Sequence, residues 1–488
     1  MTLLPALSGG TGGPGALRPL LARVLDALAA GAARRGGPVP AVRPGDLDGQ
    51  VRAALAAAPG RDALDRLTEL LAHGAADPAD PGCAAHLHAP PLAVAVAADL
   101  AVSALNPSQD SWDQAPAATA LETALLADLA ALVGHPPGRG AGVFTGGGTE
   151  SNLMGLMLAR DRVLGDGVEL HGLPAGRAPR IVASEAAHFS VQRAAALLGL
   201  GERAVLTVPV DRTLRMDGDA LATVLAGAVR DGATPIAVVA TAGTTDTGAI
   251  DPLHRAADLA AQYGAWLHVD AAYGGGALLS DRLAPLLDGI GRADSVALDF
   301  HKLGWQPAAA GVFLVRRAET YASLTRRAAY LNPADDEEAG YPSLLGLSLR
   351  TTRRPDAFKL AVTLATLGRA GLGALVDACH RLAADAADAV RAEPALELHA
   401  PPVLTTVVFR YRPAAADPAA ADRVNAVLRR DLLAAGTAVV GRTELPGTGP
   451  GRVRLKLTLL NPHTTPDEIG RLLGAVVAAG RRAEARCG

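Results

Sequence analysis

The chain has 488 residues with 49% hydrophobic content, more than one compact core usually holds, so two or three lobes are expected. A formal net charge of -3 and an aromatic content of 3% argue against a protein that binds nucleic acid or stacks on bases. Cys83, Cys379 and Cys487 are far apart and odd in number, without disulfide or metal spacing, which suits a reducing cytoplasm.

The opening Met1-Thr-Leu-Leu-Pro-Ala-Leu lacks a basic start and then breaks into Gly and Pro, so it does not read as a signal peptide. Residues 1–85 read as a helical segment. Apolar residues recur at helical spacing over 17–28, 51–57 and 63–71, between Gly- and Pro-rich stretches near 8–15 and 36–45. The apolar stretch 92–105 carries Asp99 and is too short to span a bilayer, so no membrane association is expected.

From 86 to 365 the pattern alternates between short apolar runs and helix-like segments. The runs are Gly142-Val-Phe-Thr145, Ile181-Val-Ala, Ala204-Val-Leu-Thr-Val-Pro, Ile236-Ala-Val-Val-Ala-Thr241, Trp266-Leu-His-Val-Asp270, Ser295-Val-Ala-Leu-Asp299 and Gly311-Val-Phe-Leu-Val315. Runs without polar alternation suit strands buried on both faces, which predicts an α/β domain around a mostly parallel seven-stranded sheet. Residues 366–488 change character. Thr405-Thr-Val-Val-Phe-Arg-Tyr411 and the alternating Arg452–Leu460 read as strands, the second half-exposed and antiparallel, and a last helix starts near Pro466. This predicts a smaller α+β domain.

Four segments carry chemistry. The chain holds three lysines, Lys302, Lys359 and Lys456, and almost every other basic residue is arginine. A lysine kept under that bias can do what guanidinium cannot: lose its proton and form a Schiff base. Lys302 closes the run Asp299-Phe-His-Lys302, at a strand end. Gly146-Gly-Gly-Thr-Glu-Ser-Asn152 joins a strand to a helix, where glycines admit a ligand and the first amides favour an anion. Its spacing is neither the P-loop nor the dinucleotide fingerprint. Asp270, at the end of a buried strand, needs a positive partner such as a protonated ring nitrogen. His188, in Glu185-Ala-Ala-His-Phe-Ser190, lies at another strand-to-helix junction on the ligand-binding edge of such a sheet. The turn Ala240-Thr-Ala-Gly-Thr-Thr-Asp-Thr-Gly248 adds hydroxyls. Each alone has a bland alternative, such as a tight turn, a capping aspartate or a surface lysine. Together they specify pyridoxal 5′-phosphate, and no metal site is read.

These segments, with His86-Leu-His88, Asn106-Pro-Ser-Gln-Asp-Ser-Trp-Asp-Gln-Ala-Pro116 and His268-Val-Asp-Ala-Ala-Tyr273, resemble the group II pyridoxal-phosphate-dependent amino acid decarboxylases. The similarity runs from about 86 to 463. Within the family it is nearest to bacterial L-2,4-diaminobutyrate decarboxylases, in Asp110-Ser-Trp-Asp-Gln, Ser151-Asn-Leu-Met-Gly-Leu and Thr351-Thr-Arg-Arg354. The resemblance implies fold type I of the pyridoxal-phosphate enzymes and a homodimer with its active site at the interface, the N-terminal helices packing in the dimer. It implies that Lys302 binds the cofactor covalently, that Asp270 pairs with the ring nitrogen and that His188 stacks on the ring. Gly147, Gly148, Thr149 and His301 would surround the phosphate with Asp299 close by, and Thr245 and Ala272 would lie near the ring. His88, Lys456, Gly304 and Trp305 would contact substrate, and Tyr341 would be the loop tyrosine of the closed site. After Lys302 the chain departs from its nearest relatives, and Gly304 is expected to widen or reshape the substrate pocket.

The implied reaction is α-decarboxylation of a small polar L-amino acid, L-2,4-diaminobutyrate first. The alternatives are an acidic amino acid of the aspartate or methylaspartate type, free or tethered to a carrier protein, and an aminotransferase on the same fold.

Overall fold

The computed structural model describes residues 6–165, 167–326, 328, 330–414 and 417–487. The first five residues of the opening stretch lie outside them. The chain forms two compact units, Pro91–Ala378 and a second made of Met1–Pro90 with Cys379–Gly488.

The large unit is built on seven strands: β1 (Ala141–Thr145), β2 (Pro179–Ser184), β3 (Val205–Val208), β4 (Thr234–Thr241), β5 (Trp266–Ala271), β6 (Ser295–Asp299) and β7 (Gly311–Val315). They lie in the order β1-β7-β6-β5-β4-β2-β3. β7 runs antiparallel to both neighbours, and the other four pairings are parallel. All seven apolar runs of the sequence are strands here. β5, β6 and β7 are buried at every position, because helices cover the sheet. Met154, Leu156 and Leu158 of the helix Gly148–Leu164 join Ile181, Ala183, Ile236 and Phe313 in one core. Each such side chain contributes about 1.5–3 kcal/mol of hydrophobic stabilisation.

Register decides where chemistry can gather. Gly311 of β7 pairs with Thr145 of β1 on one side and Asp299 of β6 on the other. The loops leaving β1 and β6 therefore start side by side. Thr241 of β4 pairs with Asp270 of β5, so the ends of β4 and β5 open on the same carboxyl edge, where ligands bind in sheets of this kind.

The helices Pro116–Val133 and Ala357–Ala392 are long and apolar enough to cross a membrane. The first buries Leu125, Leu126, Leu129 and Val133 inside the large unit. It also carries Glu122, fully buried, with Oε1 accepting from Arg353 Nη1 at 2.7 Å and from the amide of Phe144 at 3.2 Å.

The second unit is an antiparallel sheet of β8 (Leu396–Leu398), β9 (Thr406–Tyr411), β10 (Gly441–Glu444) and β11 (Val453–Thr458), in the order β10-β11-β9-β8. The N-terminal segment joins this unit: Ala84 N donates to Val439 O at 3.0 Å and accepts at its carbonyl from Thr458 N at 2.7 Å. β11 is antiparallel, as its alternation suggested. It is buried at all six positions rather than half-exposed, because β9 and β10 flank it and Arg454 turns its guanidinium back onto the carbonyls of Gly451 and Val453.

Candidate active site

The glycine loop leaves β1 across the start of β7, where a Cβ on Gly311 would lie 2.5 Å from Gly147 Cα. Gly147 has φ 146°, a conformation that side chains rarely adopt. It caps the helix Gly148–Leu164, its carbonyl accepting from Glu150 N at 3.0 Å and Ser151 N at 3.1 Å, ahead of which stand the amides of Gly148 and Thr149. A Cβ on Gly148 would lie 2.9 Å from Ala272 Cβ and 3.3 Å from Asp299 Oδ2, and one on Gly147 would lie 3.2 Å from His301 Cε1. The loop thus packs closely on Ala272, Asp299 and His301. Glu150 braces the loop from outside. Its Oε2 accepts from Gly146 N at 2.6 Å, and its Oε1 accepts from Arg350 Nε at 2.9 Å.

Lys302 lies one turn past the end of β6. Its Nζ is 2.9 Å from Asp299 Oδ2, and His301 Nε2 is 3.5 Å from the same oxygen. Asp299 Oδ1 is buried with no hydrogen-bond partner among the described residues. Burial holds the His301 pKa below the usual histidine value, with Asp299 acting the other way.

Asp270 is the penultimate residue of β5 and is buried. Its Oδ1 accepts from Ala272 N at 3.1 Å, and its Oδ2 accepts from Asn152 Nδ2 at 2.7 Å. Asn152 Nδ2 also donates to Ser190 Oγ at 2.9 Å, and Ser190 Oγ is 2.8 Å from His188 Nδ1. The other side of Asn152 meets His268, whose Nε2 is 2.9 Å from Oδ1. Burial pushes the His188 pKa down; Asp270 and Asp299 raise it and Lys302 lowers it. His188 therefore senses both the β5 carboxylate and the β6 lysine.

The structure brings Gly147, Gly148, Ala272, Asp270, His188, Asp299, His301 and Lys302 into this one cluster. Thr149 is exposed in the first helical turn, and Thr245 is exposed in the turn after β4. Tyr341 is half-exposed and packs on Trp112 with ring centroids 5.0 Å apart. Beside them lies a cavity of about 230 Å³ that includes Asp113, Asn332 and Asp336. Gly304 opens no pocket: a Cβ there would meet Phe300 O at 2.6 Å and Phe300 Cδ1 at 2.8 Å. The glycine admits close packing instead. Trp305 is fully buried, with φ 53°. His88 and Lys456 belong to the second unit. Lys456 is buried in β11 between Gly441 and Val408, and His86 has its pKa lowered by burial and then by Lys456, Arg429 and His88.

Sequence reasoning gave no role to Asn152, Ser190 or Ser295. No local signal marked them: Asn152 follows the polar Glu150 and Ser151, and Ser295 opens a strand that closes on Asp299.

The residues suit pyridoxal phosphate. The two glycines let the loop backbone approach Ala272, Asp299 and His301 more closely than a methyl group would allow, at the start of a helix, whose first amides favour a phosphate. An amine stands at one side of the cluster and a carboxylate, already fixed by two donors, at another. Among the described residues no group of three or more His, Cys, Asp or Glu is placed to hold a metal.

Comparison with known proteins agrees with this geometry. Residues 47–412 match the family model described as the pyridoxal-dependent decarboxylase conserved domain. The chain is 45% identical over 404 residues to an L-2,4-diaminobutyrate decarboxylase of Rhizobium meliloti (strain 1021), covering 83% of this chain and 79% of that one. It is 39% identical over 452 residues to an L-2,4-diaminobutyrate decarboxylase of Acinetobacter baumannii, covering 89% and 88%. The crystal structure of the glutamate decarboxylase domain of a diaminobutyrate-pyruvate transaminase and L-2,4-diaminobutyrate decarboxylase from Vibrio parahaemolyticus superimposes with a TM-score of 0.87. That pair is 35% identical, with 98% of each chain covered.

Proposed function

The chain belongs to the pyridoxal-dependent decarboxylase family, and from that premise we propose that it removes the α-carboxyl group of L-2,4-diaminobutyrate, releasing carbon dioxide and the three-carbon diamine. It is a carboxy-lyase of fold type I that uses pyridoxal phosphate to decarboxylate an amino acid.

When bound, the cofactor supplies a conjugated ring that takes up the electron pair left as the carboxyl group departs. The chain's own residues prepare that ring. Lys302 would hold it through its amine, beside Asp299. Gly147, Gly148 and the helix amides would seat the phosphate, with Thr149 and His301 around it. Asp270 would keep a proton on the ring nitrogen, since a buried carboxylate favours the charged form of a close partner. His188 would lie on the ring face with its pKa lowered by burial. Thr245 and Ala272 would border the ring, and Tyr341 would deliver a proton to the α-carbon from its loop.

The observation that carries the reading is the run of neighbours from Lys302 through Asp299, Gly148 and Ala272 to Asp270. The choice of diaminobutyrate draws support from the two relatives of that name. The close packing of Gly304 against Phe300 lends no support to a carrier-tethered substrate at that point.

We place the enzyme in the cytoplasm as a homodimer. Leu25, Leu55 and Leu71 on the N-terminal helices are 66%, 69% and 71% exposed, and apolar surface of that kind calls for a partner. Purified holoenzyme offered diaminobutyrate, aspartate, glutamate and aromatic amino acids, scored by mass spectrometry for carbon dioxide and amine, tests the reading. Turnover of diaminobutyrate alone or foremost is expected. Preference for aspartate would overturn the substrate, and a keto acid without carbon dioxide would overturn the reaction class. Light scattering of the same sample should give a dimer mass, and a monomer would refute the assembly.

A further inference from the structure

Behind Asp270 runs a line of buried polar groups that the reaction itself does not use. Trp266 Nε1 donates to Ser295 Oγ at 2.8 Å, Ser295 Oγ is 2.8 Å from His268 Nδ1, His268 Nε2 is 2.9 Å from Asn152 Oδ1, and Asn152 Nδ2 is 2.7 Å from Asp270 Oδ2. Ser295 and His268 are fully buried and Asn152 is 1% exposed.

The two ends fix the direction of every proton between them. An indole nitrogen can only donate, and a carboxylate can only accept. Asn152 must therefore turn its NH2 toward Asp270, since its carbonyl oxygen would repel a carboxylate at that distance. Its Oδ1 then faces His268 and requires a proton on Nε2. Burial lowers the His268 pKa to about 4, against a smaller opposing effect of Asp270, so the ring is neutral near pH 7 and Nδ1 is bare. Ser295, already accepting from the indole, gives its hydroxyl proton to Nδ1. The second N–H of Asn152 goes to Ser190 Oγ, which leaves the Ser190 hydroxyl proton for His188 Nδ1. The Ser190 amide points at the same nitrogen at 3.3 Å, so the His188 proton resides on Nε2.

We infer that Asn152, His268 and Ser295 form a positioning relay, anchored on Trp266, that sets the orientation of the Asp270 carboxylate toward the cofactor ring nitrogen and, through Ser190, the tautomer of His188. The inference rests on the functional reading above. The residues are positioning residues: they act through Asp270 and His188. The relay also explains Gly155 in the helix Gly148–Leu164, where a Cβ would stand 2.5 Å from His268 Nδ1.

The test uses wild type, Asn152→Ala, Ser295→Ala and, as a control, Thr223→Ala at an exposed position of the helix Gly218–Arg230. Apoprotein is titrated with pyridoxal phosphate, and the 15N shift of the bound cofactor's ring nitrogen is followed against pH. Losing a hydrogen bond to a charged group weakens binding about tenfold or more. Asn152→Ala and Ser295→Ala should both show weaker cofactor binding and a ring nitrogen that loses its proton at lower pH, with Thr223→Ala at wild-type values. A merely structural role would lower thermal stability without moving the 15N titration. Wild-type binding with unaltered 15N titrations in both variants overturns the relay alone. Wild-type protein that takes up no pyridoxal phosphate overturns the functional reading and the relay with it.

Discussion

Gly155→Ala isolates the packing beneath the site. At an open helical position the change favours the helix by about 1 kcal/mol. Here the new methyl would stand 2.5 Å from His268 Nδ1, 2.8 Å from Cε1 and 3.1 Å from Cγ. His268 is fully buried, so its ring has nowhere to go without losing Ser295 and Asn152. Overpacking costs about 1–3 kcal/mol, and each lost hydrogen bond about 1 kcal/mol more. Subtracting the helix gain leaves a net destabilisation of about 2–4 kcal/mol. The control is Gly474→Ala in the helix Pro466–Cys487, where a Cβ would meet nothing within 4 Å. Urea unfolding of the apoproteins should show Gly155→Ala weakened and Gly474→Ala unchanged or strengthened by up to about 1 kcal/mol. If Gly155→Ala is as stable as its control, the tight fit of His268 against the helix is wrong.

Other consequences are as direct. Burial lowers the pKa of His268 and of His135 to about 4, from 6.5. The unfolded chain then takes up these protons first, so stability is full above pH 6.5 and falls as pH drops toward 4. Near pH 5 the loss is about 2 kcal/mol per histidine; unfolding followed from pH 7.5 to 5 checks it, and His268→Gln should flatten the slope. Arg353→Ala leaves buried Glu122 without its cation and should cost about 3–5 kcal/mol. Pairing Arg353→Met with Glu122→Gln, which keeps an acceptor for Phe144, should recover most of that in the same unfolding assay. Gly148→Ala places a methyl 2.9 Å from Ala272 Cβ, inside the proposed phosphate seat, and should weaken pyridoxal phosphate binding more than tenfold by equilibrium dialysis.

The large sheet was readable in the sequence because its strands are covered on both faces and so carry uninterrupted apolar runs. β8 and β10 were not. Leu396-Glu-Leu398 is too short to show a period, and Gly441-Arg-Thr-Glu444 is a polar edge. Lys302, Asp270 and the glycine loop could be found because each breaks a local rule: a lysine in an arginine-rich chain, a charge on a buried strand, glycines at a helix start. Asn152 and Ser295 break no such rule. Their meaning comes from partners 116 to 118 residues away for Asn152 and 27 to 29 residues away for Ser295, and only the assembled sheet joins them. Gly304 shows the opposite case. Its missing side chain reads as free space along the chain, while in the fold Phe300 occupies it.

Three lysines give the covalent attachment a direct test. Lys359 is fully buried against Asp99 and Asp356 at 3.2 and 3.1 Å, and Lys456 lies in β11 of the other unit. Borohydride reduction of the holoenzyme, proteolysis and mass spectrometry should place the pyridoxyl group on the peptide that contains Lys302. A label on Lys359 or Lys456, or on no lysine, would contradict the account.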